Sequence, residues 1–276
     1  MSLNATTVRD WSLSSRNFLI TGGTKGIGLA IVHSVLQHDA EGVLFCARGD
    51  GNDILTLLQS QYPHKATKIH YCSCDISTQS GRDALIHTAS TLFDHKLDGL
   101  VNNVGMNIRK SITNQTQDEY ENIIKVNIDS TYHLCKGFKD MLTCAARERG
   151  SASLINMASA AGIQSSGTGS AYGISKAAII HLSKTLACEW ATHNIRVNAV
   201  APWMTMTPML EEAIQSDPTQ LDKVKEWTPM HRLATVQDVA NPVVFLLMPC
   251  SNYITGQCIA VDGGLTAQGF KGPCCD

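Results

Sequence analysis

Tyr172 and Lys176 stand four residues apart in Tyr172-Gly173-Ile174-Ser175-Lys176. On a helix that spacing puts both side chains on one face. A free phenol titrates near ~10 and exchanges protons poorly at neutral pH. An ammonium beside it stabilises the phenolate and lowers that value. Such a pair could pass a proton to or from a substrate oxygen, with Lys176 also holding a ribose. Ser159 adds a third group thirteen residues before Tyr172, at the end of the apolar run Leu154-Ile155-Asn156-Met157. Its hydroxyl could orient the substrate oxygen toward Tyr172, although a helix cap or turn would use the same residue. Asn127, in Lys125-Val126-Asn127-Ile128, is a poor helix-interior residue inside an apolar helical pattern. Its backbone carbonyl could hold a water beside Lys176 and complete a proton relay to solvent.

A second cluster suits a phosphate. Thr21-Gly22-Gly23-Thr24-Lys25-Gly26-Ile27-Gly28 follows a short apolar run and precedes a helical pattern. Glycines allow a tight turn and close approach of backbone to a pyrophosphate, and the N–H groups of the following helix point at the anion. Gly22, Thr24, Lys25, Gly26, Ile27 and Gly28 are therefore candidate cofactor contacts. The next apolar run ends Phe45-Cys46-Ala47-Arg48-Gly49-Asp50. A site for NAD places an acidic residue there for the ribose 2′-OH. Arg48 instead offers a guanidinium to a 2′-phosphate, and Lys25 a second cation. The two together favour NADP(H), with Asp50 as a carboxylate that could still reach the ribose.

These groups need a frame that brings distant segments together. Short continuous apolar runs, as buried parallel strands require, occur at Phe18–Thr21, Val43–Ala47, Lys68–Cys72, Leu97–Val101, Ala152–Met157, Arg196–Ala201 and Gln257–Val261. Helical patterns fall between them, near Gly26–Gln37, Ile54–Ser60, Gln79–Phe93, Thr116–Thr143, Ala171–Thr192 and Val236–Leu247. The alternation predicts right-handed crossovers and a doubly wound α/β sheet. Pro202 to His231 breaks the rhythm, is rich in Met and Pro, and follows a strand end. That is where ligands bind in such sheets, so the segment at about 202–231 reads as a substrate cap.

Thr21–Gly28, Asp75, Asn102-Asn103-Val104-Gly105, Asn127, Ser159, Tyr172, Lys176 and Pro202 resemble, in order and spacing, the short-chain dehydrogenase/reductase family, from about Ser14 to Gly264. The resemblance implies a single domain over 1–276: a parallel seven-stranded Rossmann-type sheet with a small cap and flexible tails at both ends. It implies a catalytic tetrad of Asn127, Ser159, Tyr172 and Lys176. Asp75 and Ile76 would lie near the adenine, Asn102 and Gly105 along the cofactor, and Thr205 and Thr207 by the nicotinamide amide beyond Pro202. Ser183–Ala191, Asn194–Asn198, Thr228-Pro229-Met230 and Tyr253–Gln257 resemble the tropinone reductase-like branch. Two departures stand out: Val104 replaces a common Ala, and Trp203 occupies a position where Gly is usual.

The resemblance implies NADPH-dependent reduction of a small cyclic or alicyclic ketone, or the reverse alcohol oxidation. Reduction of a 3-oxoacyl thioester, or a non-catalytic NADP(H)-binding regulator, are the other readings. The residues after the Asn-Asn-x-Gly turn would approach the substrate, naming Met106, Ile108 and Arg109, with Ile163, Trp203 and Met209 as further contacts. Arg109 is always protonated and should repel a cationic ketone, unless it faces solvent or pairs with a carboxylate such as Glu211. Association as a homodimer or homotetramer would use the two long helices near 116–143 and 171–192.

Composition narrows the remaining classes. The 276 residues suit one large α/β domain, and 43% are hydrophobic. A net charge of −2 gives no electrostatic case for nucleic acid or an anionic membrane. No apolar stretch approaches the ~20 residues of a membrane span, and the polar start lacks a secretory pattern, so a cytoplasmic location is expected. The ten cysteines are dispersed without metal spacing, which predicts free thiols and no metal. Cys274-Cys275 reads as part of a disordered end rather than a lipidation site.

Overall fold

The computed structural model describes residues 9–208, 210 and 220–268. Met209, Glu211 and the Cys274-Cys275 tail lie outside the described residues. Seven strands form one sheet in the order β3-β2-β1-β4-β5-β6-β7. They are β1 (Asn17–Thr21), β2 (Gly42–Ala47), β3 (Ile69–Ser73), β4 (Gly99–Asn102), β5 (Ala152–Met157), β6 (Ile195–Pro202) and β7 (Cys258–Val261). All neighbouring pairs are parallel. The helices are α1 (Gly26–Gln37), α2 (Asn52–Gln61), α3 (Gln79–Leu92), α4 (Gln117–Ile124), α5 (Ser130–Arg149), α6 (Ser170–Trp190), α7 (Gln220–Trp227) and α8 (Val236–Leu247).

The inner strands are covered on both faces, which favours apolar runs, whereas the edge strands β3 and β7 are only partly buried. Phe18, Ile20 and Phe45 point to one side and pack with Ile31, Val32 and Val243 of α1 and α8. Leu19, Leu44 and Leu100 point to the other and pack with Leu85 of α3 and Phe138 of α5. β1 sits between β2 and β4, so the chain reverses its winding direction there. The carboxyl ends of β1 and β4 consequently splay loops to opposite sides and leave a crevice.

Several boundaries differ from expectation for local reasons. β4 begins at Gly99 rather than Leu97 because the Leu97 N–H goes to the Met141 carbonyl at 3.2 Å. α2 starts at Asn52, whose N–H is capped by Asp50 Oδ1 at 2.9 Å. The helix expected over Thr116–Thr143 runs unbroken from Gln117 to Arg149 but is not α-helical throughout. It opens with a Thr116–Glu119 capping box, widens to a π-helical turn at Lys125–Asp129, and continues as α5 to Arg149. The segment from Pro202 to His231 contains α7, which its irregular apolar pattern did not announce.

The cysteines among the described residues, including Cys46, Cys135 and Cys258, are free. No helix among the described residues is long and apolar enough to cross a membrane.

Candidate active site

The crevice at the β1–β4 switch is a cleft of about 730 Å³, running from Arg48 to Trp203. One end is shaped by main chain. Gly22 and Gly26 adopt φ of +68° and +56°, which L side chains rarely tolerate. A Cβ on Gly28 would overlap the Gly22 carbonyl, and one on Gly23 would come within 2.6 Å of Phe45 Cβ. The loop is thus pressed onto β2, and Lys25, extended at φ −157°, leads into α1. Thr24, Lys25, Ile27, Arg48, Asp75 and Ile76 all face this end. Burial would raise the Asp75 carboxyl. Hydrogen bonds from Ser77 and the charges of Arg48 and Lys125 outweigh it and hold the group below its usual range. Asp50, turned to the α2 cap, does not join them.

Asn102 does not line the cleft. As the last residue of β4 it points into the core, donating to Asn156 Oδ1 at 2.9 Å. Asn103 takes the surface place, because successive strand residues face opposite sides. Its Nδ2 donates to the Thr21 carbonyl at 2.9 Å, and its N–H to Thr21 Oγ1 at 2.9 Å. This stitches the two switch-point loops together.

The other end holds ionisable side chains. Tyr172, Lys176 and Ser159 line the cleft together, with Gly105, Pro202, Thr205 and Thr207 around them. α6 carries Tyr172 and Lys176 one turn apart, and Ser159 follows β5. Lys176 is 4% exposed, and its Nζ donates to the Met157 carbonyl at 2.8 Å. Burial pushes the ammonium down to about 8. Tyr172 departs from the expected lowering. Burial raises the phenol, and the Ser159 hydroxyl and Arg109 charge beside it only partly oppose this. The Lys176 ammonium lies over the Tyr172 ring, 5.7 Å from its centroid.

Asn127 does not touch the cleft, yet it shapes it. Its side chain clamps Met106, accepting from the N–H at 2.8 Å and donating to the carbonyl at 3.0 Å. Its Nδ2 also donates to Ser175 Oγ at 2.9 Å. The clamp holds Gly105 so close that a Cβ there would lie 3.0 Å from Lys176 Nζ. The backbone carbonyl, expected to be free for a water, accepts from Thr131 Oγ1 at 2.9 Å. A hydroxyl one turn along fills the gap that the π-helical turn opens.

Of the substrate candidates, Met106, Arg109 and Trp203 line the cleft, and Ile108 and Ile163 do not. Ile163 lies instead on the surface, 44% exposed. Met204 and Val104 line the cleft as well. Val104 stood out in the sequence only as a departure from a common Ala, and Met204, next to Trp203, had no spacing rule to distinguish it.

A family model described as Enoyl-(Acyl carrier protein) reductase matches residues 22–266. A tropinone reductase homolog of Arabidopsis thaliana is 40% identical over 264 residues, spanning 95% of this chain and 97% of the relative. This chain belongs to the short-chain dehydrogenase/reductase family. It is an oxidoreductase by that membership, and its parallel seven-stranded sheet is the family's Rossmann-type fold. A tropinone reductase homolog of Datura stramonium is also 40% identical, over 95% of this chain and 96% of the relative. Among solved structures, the Pseudomonas aeruginosa RhlG/NADP active-site complex superposes with a TM-score of 0.86 at 31% identity, covering 94% of this chain and 99% of that one.

Proposed function

We propose that this chain binds NADP(H) and reduces the carbonyl of a small cyclic or alicyclic ketone, with Tyr172 as proton donor. The observation that carries the reading is one cleft with Arg48 and Lys25 at one end and Ser159, Tyr172 and Lys176 at the other. The glycine-lined floor and the Arg48 guanidinium fit a dinucleotide bearing a 2′-phosphate. The RhlG structure, similar over nearly the whole chain, contains NADP. Gly22 to Gly28 would cradle the pyrophosphate, with Asp75 and Ile76 near the adenine. Lys176 would hold a ribose, and Thr205 and Thr207 the carboxamide end. When bound in its reduced form, the nicotinamide supplies a hydride to the carbonyl carbon.

The chain's residues handle the oxygen. Ser159 donates a hydrogen bond to it and fixes its direction. Tyr172 then donates its proton as negative charge develops on that oxygen. A raised phenol serves this direction, since it arrives protonated. Lys176 stabilises the phenolate left behind. Asn127 acts through Met106, holding the loop that separates Lys176 from solvent.

Arg109 sets the charge of the substrate. It lies close enough to Tyr172 to bias the phenol. Arg109 is exposed, so water screens it, and a cation ~4 Å away would be repelled by about 1 kcal/mol. Neutral or anionic ketones are therefore favoured over tertiary amines such as tropinone.

A second reading, reduction of a thioester-linked 3-oxoacyl chain, draws on the acyl-carrier description of the family model. NADPH consumption with cyclic ketones, tropinone and a 3-oxoacyl thioester separates the two. Turnover of a neutral cyclic ketone supports the first, and turnover of the thioester alone supports the second. Binding of NADPH with no turnover would indicate a regulator. We further infer a homodimer or homotetramer assembled through α5 and α6, to be checked by light scattering. Free thiols fit a reducing compartment such as the cytoplasm.

A further inference from the structure

Trp203 stands where β6 ends and lines the substrate end of the cleft. Four features hold it. Its N–H donates to the Val261 carbonyl at 3.1 Å, and its carbonyl accepts from Thr205 Oγ1 at 2.9 Å. Its indole Nε1 donates to Thr228 Oγ1 at 3.1 Å. Thr228, 1% exposed, is itself fixed, since its hydroxyl donates to the Val224 carbonyl of α7 at 2.6 Å. Gly263, at φ +61°, completes the mount: a Cβ there would come within 2.7 Å of Thr228 Cγ2.

The indole N–H is therefore spent on Thr228. An indole donor already paired offers a ligand only its apolar surface. A ring tied to Thr228 at the end of α7, on a backbone tied to the end of β7, resists swinging aside for a larger guest. We propose that Trp203 is a specificity-determining residue, a fixed apolar wall that admits compact ring ketones and excludes bulky ones, and that Thr228 is its positioning residue. The proposal rests on the ketone-reductase reading above and adds the shape of the substrate to it.

The test compares kcat/KM for cyclohexanone and a two-ring ketone such as decalone, with NADPH, in wild type, Trp203→Ala, Thr228→Val and Thr228→Ser. Trp203→Ala should raise the bulky-to-compact ratio by ~10-fold or more, the scale of hydrophobic-pocket discrimination. Thr228→Val keeps the shape but removes the acceptor. It should raise the ratio by about 3-fold, acting through KM for the compact ketone more than through kcat. Thr228→Ser keeps a hydroxyl and should restore the wild-type ratio. An unchanged ratio in both Trp203→Ala and Thr228→Val overturns the proposal, and Thr228→Val remains informative if Trp203→Ala does not fold. A turnover-free readout separates this from the parent reading. In fluorotryptophan-labelled protein, 19F NMR resolves the four tryptophans, and the Trp203 signal is identified by its loss in Trp203→Phe. With NADP+ added, cyclohexanone should shift that signal. If no ketone is turned over, the reductase reading fails, and a shifted Trp203 signal still supports the wall. An unshifted Trp203 signal overturns it.

Discussion

At its cofactor end the cleft is walled by backbone. Gly22 and Gly26 are needed there for their positive φ and Gly28 because no Cβ fits, and Asn103 ties the loops by bonds to Thr21. At its substrate end the wall is made of side chains: Met106, Arg109, Trp203 and Met204. A backbone-built site tolerates almost no substitution and binds the one shape it matches. A side-chain wall can be exchanged residue by residue without touching the frame. The difference teaches where the cleft can change without disturbing its frame: at side chains such as Trp203 and Arg109, not at the glycines.

The sharpest way to break that comparison is Gly28→Ala. The added methyl overlaps the Gly22 carbonyl, so the loop must move. The expected result is loss of NADPH binding and a stability cost of about 3 kcal/mol, read by titration and denaturant melts. Next comes Lys176→Ala, expected to lower turnover by ~10²-fold or more and to weaken NADPH, since one ammonium serves both.

The same lysine sets a pH limb. Its charged form is the working one, and its value is about 8. The kcat/KM for reduction should therefore fall as pH rises through about 8, and Lys176→Arg should move that limb upward. Stability has the opposite sign. The folded value lies below the ordinary lysine value of 10.5, so the unfolded chain binds the proton more tightly. Folding gains from this group as pH rises above about 8, and the gain is absent below it.

Arg48→Asp tests the cofactor end more gently. The ratio of specificity constants for NADPH over NADH should drop by about 10-fold or more, and an unchanged ratio would mean that Arg48 does not read the phosphate. The smallest effect is at the replaceable wall. Arg109→Tyr should raise kcat/KM for tropinone relative to a neutral ketone of similar size by about 5-fold, allowing for water between the charges. Efficient turnover of tropinone by wild type, unaffected by the change, would remove Arg109 as a charge filter.

The same contrast explains what could be read from sequence. All seven strands were legible, the inner ones because burial on both faces favours apolar runs, and the partly buried edge strands β3 and β7 from their place in the strand–helix alternation. The cradle was legible too, since Gly22 to Gly28 are constrained by local sterics. Asn102 was misassigned because two adjacent asparagines look alike until the strand's alternation decides which faces out. The π-helical turn at Lys125–Asp129 was hidden, for it depends on Asn127 reaching Met106 across 21 residues. The raised Tyr172 phenol depends on how deeply both partners are buried, which spacing does not contain. α7 was missed in a segment whose polar face, Asp222, Lys223 and Glu226, obscures a short apolar stripe.

Tyr172 carries the proposed chemistry most directly. Tyr172→Phe keeps the ring and removes only the proton donor. The decisive measurement is kcat for a neutral cyclic ketone in that variant, beside its dissociation constant for NADPH. The expected result is a loss of ~10²-fold or more in kcat with cofactor affinity kept within about 3-fold. Turnover near the wild-type rate would contradict the assignment of Tyr172 as the acid.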